Sequence, residues 1–254
     1  MSSAAAAGQW TGAERRSGEL VRVYVWEWPV RLAHWCIAYS ILVLSVTGFY
    51  IGAPFVIVTG PAGANFLMGW VKLIHFSAAT VFALSVAIRV YWMFVGNQYS
   101  HWNKFLPVTT RRWKAMLQIL RYYFFQLRQP PGFVGHNPLA GFTYLFVFLL
   151  YLVMIGTGLG MYAASADVAS PFRRFAFLLP LWGGAQSARM VHHVTMWLIL
   201  AFAVHHVYSS VLMSQVEARG TIESMASGYK FVPREDLHYS GYRYLGLWDA
   251  ERER

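Results

Sequence analysis

Four histidines sit near the ends of long apolar runs, at His34, His75, His192 and His206. In the last run His192 and His206 are fourteen positions apart. At 3.6 residues per turn this leaves their rings roughly 40° apart on one helical face and roughly 21 Å apart along the axis. A neutral imidazole is a common metal ligand. One helix could therefore present two ligands to the same side at two depths, which is the geometry of a helix ligating two haems and points to electron transfer across a bilayer. Neighbouring His193 and His205 do not share this geometry. Residues 193 and 206 are thirteen apart, about 220° around the helix, so these two histidines are expected to face headgroups, partner helices or a haem propionate.

The elements that would position these residues are long apolar helices. The chain is 57% hydrophobic and 13% charged, which places it among membrane proteins. Four runs reach the ~20 apolar residues needed for ~30 Å of hydrocarbon. They lie near 32–54, 71–96, 138–162 and 190–213. The predicted fold class is an all-α membrane protein, a four-helix transmembrane bundle with both termini cytoplasmic. Its parts are an N-terminal segment over 1–30, a dihaem domain over 31–213 and a cytoplasmic tail over 214–254.

The sidedness comes from charge. The net charge is +10, with four Lys/Arg before the first span, six between the second and third, and six in the tail. The other two connections share only Lys72, Arg173, Arg174 and Arg189. That alternation follows the positive-inside rule, so the positive charge reads as topology and anionic lipid contact, not nucleic-acid binding. On this topology His34 and His206 fall near the inner face, and His75 and His192 near the outer one. The ligands divide into pairs His34/His206 and His75/His192.

No secretory signal is read at Arg15-Arg16, which lacks a following apolar region. Cys36 is the single cysteine, so covalent haem attachment through C-x-x-C-H is excluded and any haem is b-type. Gly48, Gly156, Gly158 and Gly160 would let a macrocycle or a neighbouring helix come close. Arg89, deep in the second span, reads either as a propionate contact or as a snorkelling cation. Residues 111–128 mix five cations with Trp113, Tyr122, Tyr123, Phe124 and Phe125, which predicts an amphipathic helix on the inner membrane surface. The apolar third connection, with Phe172, Phe175, Phe177 and Trp182, predicts a half-inserted segment or a docking surface.

The chain carries the stretches Tyr24-Val25-Trp26-Glu27-Trp28-Pro29-Val30-Arg31-Leu32-Ala33-His34-Trp35, Val46-Thr47-Gly48-Phe49-Tyr50-Ile51-Gly52 and Leu73-Ile74-His75-Phe76-Ser77-Ala78. Further along it carries Arg89-Val90-Tyr91-Trp92, Gly135-His136-Asn137-Pro138, His192-His193-Val194-Thr195-Met196-Trp197 and His206-Val207-Tyr208. Taken together, these stretches resemble the cytochrome b subunit of membrane-bound nickel–iron hydrogenases, a dihaem cytochrome b561-like family.

The resemblance implies two b haems with His34, His75, His192 and His206 as axial ligands. It also implies a periplasmic hydrogenase, whose small subunit passes electrons from the large subunit's chemistry to the outer haem, and a quinone reduced near the inner one. The chain would be an electron-transfer subunit in the bacterial inner membrane and not itself the enzyme. It departs from the pattern at Ser209-Ser210-Val211-Leu212-Met213-Ser214-Gln215 and at Asn103-Lys104-Phe105, both on the expected cytoplasmic side.

His136 and Asn137 are candidates for quinone hydrogen bonding or proton delivery; the alternative is a helix-start turn at Asn-Pro. Two other functional classes compete. One is a stand-alone cytochrome b561-type oxidoreductase. The other is a membrane di-iron enzyme built on the pairs His192-His193 and His205-His206, which lie in one span at opposite depths.

Overall fold

Pro29 just ahead of the first apolar run and Asn137-Pro138 at the start of the third are helix-start signals, and helices begin at both places in the computed structural model of the chain. The structure describes residues 20–57, 59–61, 63, 65–106, 110–127, 135, 137–217 and 220–233. Strand β1 (Leu20–Tyr24) precedes α1 (Trp28–Gly52) and α2 (Leu67–Val95). Then come α3 (Thr110–Tyr123), α4 (Pro138–Ser165), the short α5 (Leu178–Leu181) and α6 (Ala185–Glu217). The last elements are α7 (Ser224–Ser227) and β2 (Tyr229–Pro233).

Helices α1, α2, α4 and α6 are long and apolar enough to cross a membrane, as predicted. In the most apolar stretch of each, at most 28% of residues are buried, so the apolar surface faces outward. Water would penalise that arrangement and lipid would not. The helices outrun the predicted spans. Helix α6 has 33 residues, about 50 Å at 1.5 Å per residue, against ~30 Å of hydrocarbon. Hydropathy marks where a helix is apolar, while polar residues such as Gln186, Ser187 and Arg189 continue it unseen.

The chain divides into two units. One is made of Trp28–Val95 and Thr143–Leu212, the four long helices with the third connection. Its core joins Ile37 of α1, Phe82 and Val86 of α2, Val147, Leu150 and Tyr151 of α4, and Ile199 of α6. Intramembrane hydroxyls satisfy themselves on their own helix: Ser45 Oγ donates to the Ile41 carbonyl and Ser85 Oγ to that of Val81, each at 2.7 Å. The third connection folds back on α4. The Trp182 indole meets Gly156, where a Cβ would lie 3.3 Å from the ring, and Leu178 meets Gly160 in the same way. Gly156 is nine residues before the end of α4, so the connection reaches back roughly 13 Å along that helix.

The other unit gathers the residues up to Glu27, Gly96–Phe142 and those from Met213 onward. Here the structure adds what the helical patterning did not predict, an antiparallel ribbon pairing Leu20 with Pro233 and Tyr24 with Tyr229. The tail enters it through Gly228, whose φ of 89° is open to glycine at no steric cost. A Cβ there would lie 2.6 Å from the Tyr24 ring, and the Gly228 carbonyl accepts from the Val25 and Trp26 amides. Trp26 Nε1 donates to Ser224 Oγ at 3.1 Å. The Glu27 carboxylate accepts from the Asn97 amide at 2.7 Å, and the Asn97 side chain donates to the Val25 carbonyl. Helix α3 is amphipathic as predicted, burying Ala115, Met116 and Ile119 while Trp113 and Leu117 stay exposed. It ends at Tyr123, short of the predicted 128, and Phe125 follows with φ 58°.

Candidate functional site

Helical geometry sets the depths first. His75 and Arg89 are fourteen residues apart in α2, as His192 and His206 are in α6, so each helix offers two side chains on about one face roughly 21 Å apart. The site therefore has two levels, one at His34 and His206 and the other at His75 and His192.

At the first level the structure brings α1 and α6 together. The His34 and His206 ring centroids are 6.2 Å apart at an interplanar angle of 60°. Two imidazoles bound to one metal from opposite sides, at about 2 Å per metal–nitrogen bond, place their centroids roughly 6 Å apart. The pair thus fits an iron held between them. The surroundings are aromatic: Phe202 stacks on His206 at 5.4 Å and 19°, Tyr144 meets it edge-on at 5.8 Å, and Trp35 stands edge-on to His34 at 5.2 Å. Hydrogen bonding is sparse. His34 Nδ1 is buried with no partner among the described residues, and Tyr144 Oη lies 3.5 Å from His206 Nδ1, the outer limit of a useful bond.

At the second level each histidine has a seat on a neighbouring helix, and the two seats are alike. His75 Nδ1 lies 2.8 Å from Thr47 Oγ1, and a Cβ on Gly48 would lie 3.5 Å from His75 Cε1. His192 Nδ1 lies 2.8 Å from Thr157 Oγ1, and a Cβ on Gly158 would lie 3.2 Å from His192 Cε1. A Thr-Gly pair in α1 receives one ring and a Thr-Gly pair in α4 receives the other. The same Gly48 also approaches Met196, one turn beyond His192 on α6.

These hydroxyls decide a tautomer. A threonine has one O–H hydrogen. Thr47 gives it to the Val43 carbonyl at 2.7 Å and Thr157 gives it to the Val153 carbonyl at 2.8 Å. Each Oγ1 is then an acceptor, so His75 and His192 donate from Nδ1–H. Nε2 is left with its lone pair, the form that binds a metal.

The other predicted residues fall as follows. Arg89 is buried, 7% exposed, with its guanidinium 6.0 Å from the Phe148 ring centroid. It is enclosed in the bundle and does not extend outward as a snorkelling side chain would. Asn137 Oδ1 accepts from the Ala140 amide at 2.7 Å, the capping role of an asparagine before a helix. His136 lies outside the described residues. His193 packs against Gly52 of α1, where a Cβ would lie 3.2 Å from its Nε2, and exposed His205 bonds to Ser209 Oγ at 3.3 Å. Of the four glycines, Gly48 and Gly158 receive histidines, whereas Gly156 and Gly160 receive the third connection. Among the described residues no three His, Cys, Asp or Glu side chains gather to hold a metal ion, so the di-iron alternative finds no ligand set there.

Outside the spans, Arg112 donates to the Lys104 carbonyl at 2.6 Å. Burial pushes the Lys104 ammonium down to about 8, and the Arg112 charge adds to the effect.

The spacing of the four histidines was visible in the sequence, whereas the contacts of Thr47, Thr157, Tyr144 and Phe202 with them appear only in the structure. The available signal was the Thr-Gly pair, present once in the first span and once in the third.

A family model described as prokaryotic cytochrome b561 matches residues 25–228. A probable Ni/Fe-hydrogenase B-type cytochrome subunit of Cupriavidus necator is 41% identical over 228 residues, covering 89% of this chain and 93% of the relative. A protein of that name from Rhizobium leguminosarum bv. viciae is 41% identical over 84% of this chain and 91% of its own length. The probable Ni/Fe-hydrogenase 1 B-type cytochrome subunit of Escherichia coli K12 is 36% identical over 85% of this chain and 94% of its own.

Proposed function

The chain belongs to the prokaryotic cytochrome b561 family, and from that premise we propose that it is a membrane-integral dihaem b-type cytochrome. It anchors a nickel–iron hydrogenase and passes that enzyme's electrons to the quinone pool. The observation that carries this reading is the 6.2 Å separation of the His34 and His206 rings, set one fourteen-residue step along α6 from a second histidine of fixed tautomer. The hydrogenase partner is taken from relatives that match nearly their whole length and bear that name.

His34 and His206 hold one b haem, and His75 and His192 the other. When bound, the haems supply one-electron carriers at two depths of the membrane. The protein's own part is to fix the imidazoles, exclude water and set the electrostatics. Buried Arg89, at the depth of the first level, provides the positive charge that a propionate would take. The distribution of Lys and Arg, sixteen on one side against four on the other, supports an inner-membrane protein with both termini cytoplasmic. The hydrogenase then docks its small subunit at the periplasmic face beside the apolar third connection. Quinone is reduced near the first level, and His136 and Asn137 are the candidates for its hydrogen bonding or proton delivery. If the quinone draws its protons from the cytoplasm, each turnover moves charge across the membrane.

The test is haem per polypeptide. A pyridine haemochrome assay should give two b haems for the intact chain and one for His206→Ala. Two haems in that variant would refute the ligand assignment. Quinone reduction with a soluble donor, by a chain that never co-purifies with a nickel–iron protein, would favour the stand-alone b561-type oxidoreductase.

A further inference from the structure

The two levels are held by different chemistry, and that difference has an electronic consequence. At the second level both imidazoles donate Nδ1–H to a threonine oxygen at 2.8 Å. The acceptor in each case is polarised, because its own hydrogen is committed to a carbonyl one turn back on the helix. A ring that donates from Nδ1 becomes a more basic ligand through Nε2. A more basic ligand favours the ferric over the ferrous state, which lowers the reduction potential. At the first level His34 Nδ1 has no partner among the described residues, and His206 Nδ1 has Tyr144 Oη only at 3.5 Å.

Resting on the dihaem reading above, we infer that Thr47 and Thr157 are positioning residues that make the His75/His192 haem the lower-potential of the two. They do so through the histidines without touching the haem. Electrons entering at that level then run downhill to His34/His206, so the direction of transfer is written into two hydroxyl groups. Gly48 and Gly158 complete each seat: a Cβ would stand in contact with the ring at Gly48, 3.5 Å from His75 Cε1, and would crowd it at Gly158, 3.2 Å from His192 Cε1.

The experiment is a spectroelectrochemical titration of the purified full-length protein with Thr47→Val, Thr157→Val, the double variant, and the Ser variant at each position. Valine matches threonine in shape and removes the acceptor; serine keeps it. His206→Ala, retaining only the second level, assigns the two waves. The expected result is that valine moves the more negative wave upward and leaves the other in place. The double variant should shift the ferric-to-ferrous ratio about tenfold, which is about 59 mV for one electron. Serine should return the wave to its original position. Loss of that haem in the valine variants, with retention in the serine ones, supports the same role. The inference is overturned if both haems stay bound and neither wave moves, if the more positive wave moves, or if serine shifts the potential as far as valine. A wild-type chain with fewer than two haems removes the dihaem reading and this inference with it.

Discussion

The His75/His192 level is organised by hydrogen bonds and the His34/His206 level by aromatic packing. Each second-level ring sits on a Thr-Gly pair of a neighbouring helix, Thr47-Gly48 or Thr157-Gly158. At the first level, Phe202 lies flat on His206 while Tyr144 and Trp35 meet the rings by their edges. Hydrogen bonds between helices in lipid average about 0.6 kcal/mol, so the two threonines contribute little to holding the bundle together. Their value is directional, since each holds the Nδ1 side of its ring and leaves Nε2 with its lone pair. Aromatic contacts are worth about 0.5–1.5 kcal/mol each and restrict where a ring lies, yet they leave its protonated nitrogen undetermined. Two histidine pairs in one bundle are thus held by contacts of different kinds.

The largest test of this contrast is Gly158→Leu. Its side chain would enter the space of the His192 ring, already 3.2 Å from a Cβ at that position. Overpacking of this kind costs about 1–3 kcal/mol. Haem per polypeptide should fall from two to one, and Gly156→Leu, which faces Trp182 instead, should keep both. Loss of both haems from Gly158→Leu would show that the levels are not independently built.

A smaller effect is expected from Tyr144→Phe. With only a 3.5 Å contact to lose, the first-level potential should move less than the second-level potential does in Thr47→Val. A larger shift in the tyrosine variant would reverse the comparison.

The smallest effect lies outside both levels, at Lys104. Its folded-state value of about 8 is below the ordinary 10.5, so between these values the unfolded chain binds more protons and stability rises with pH. Below about 8 both states are protonated and the cost of burying the charge is present in full. Thermal unfolding of the detergent-solubilised protein should show this rise. Lys104→Met should abolish it while leaving both haem potentials unchanged.

The parts legible in the sequence are those that follow from a run of residues on one helix. Apolar length gave the four spans, and the fourteen-residue step gave the shared face of His192 and His206. The family resemblance carried by these motifs agrees with the family the chain belongs to. The ribbon of β1 and β2 was not legible, because it pairs Leu20 with Pro233 across the whole chain and five-residue strands carry little periodic signal. Glycine roles were half legible. Composition showed that something approaches Gly156, Gly158 and Gly160, yet only packing sorted the histidine's glycine from those of the third connection.

By itself the sequence determined where the four apolar spans lie and which of their residues share a face, since each of these is a property of one segment in lipid. Tertiary structure alone decided that His34 faces His206 at 6.2 Å and that Thr47 and Thr157 hold the Nδ1 hydrogens of the other pair. Both depend on the rotation of one helix about its axis relative to another. Uniformly apolar spans leave that rotation undetermined, and the fit of glycine, threonine and ring against one another sets it.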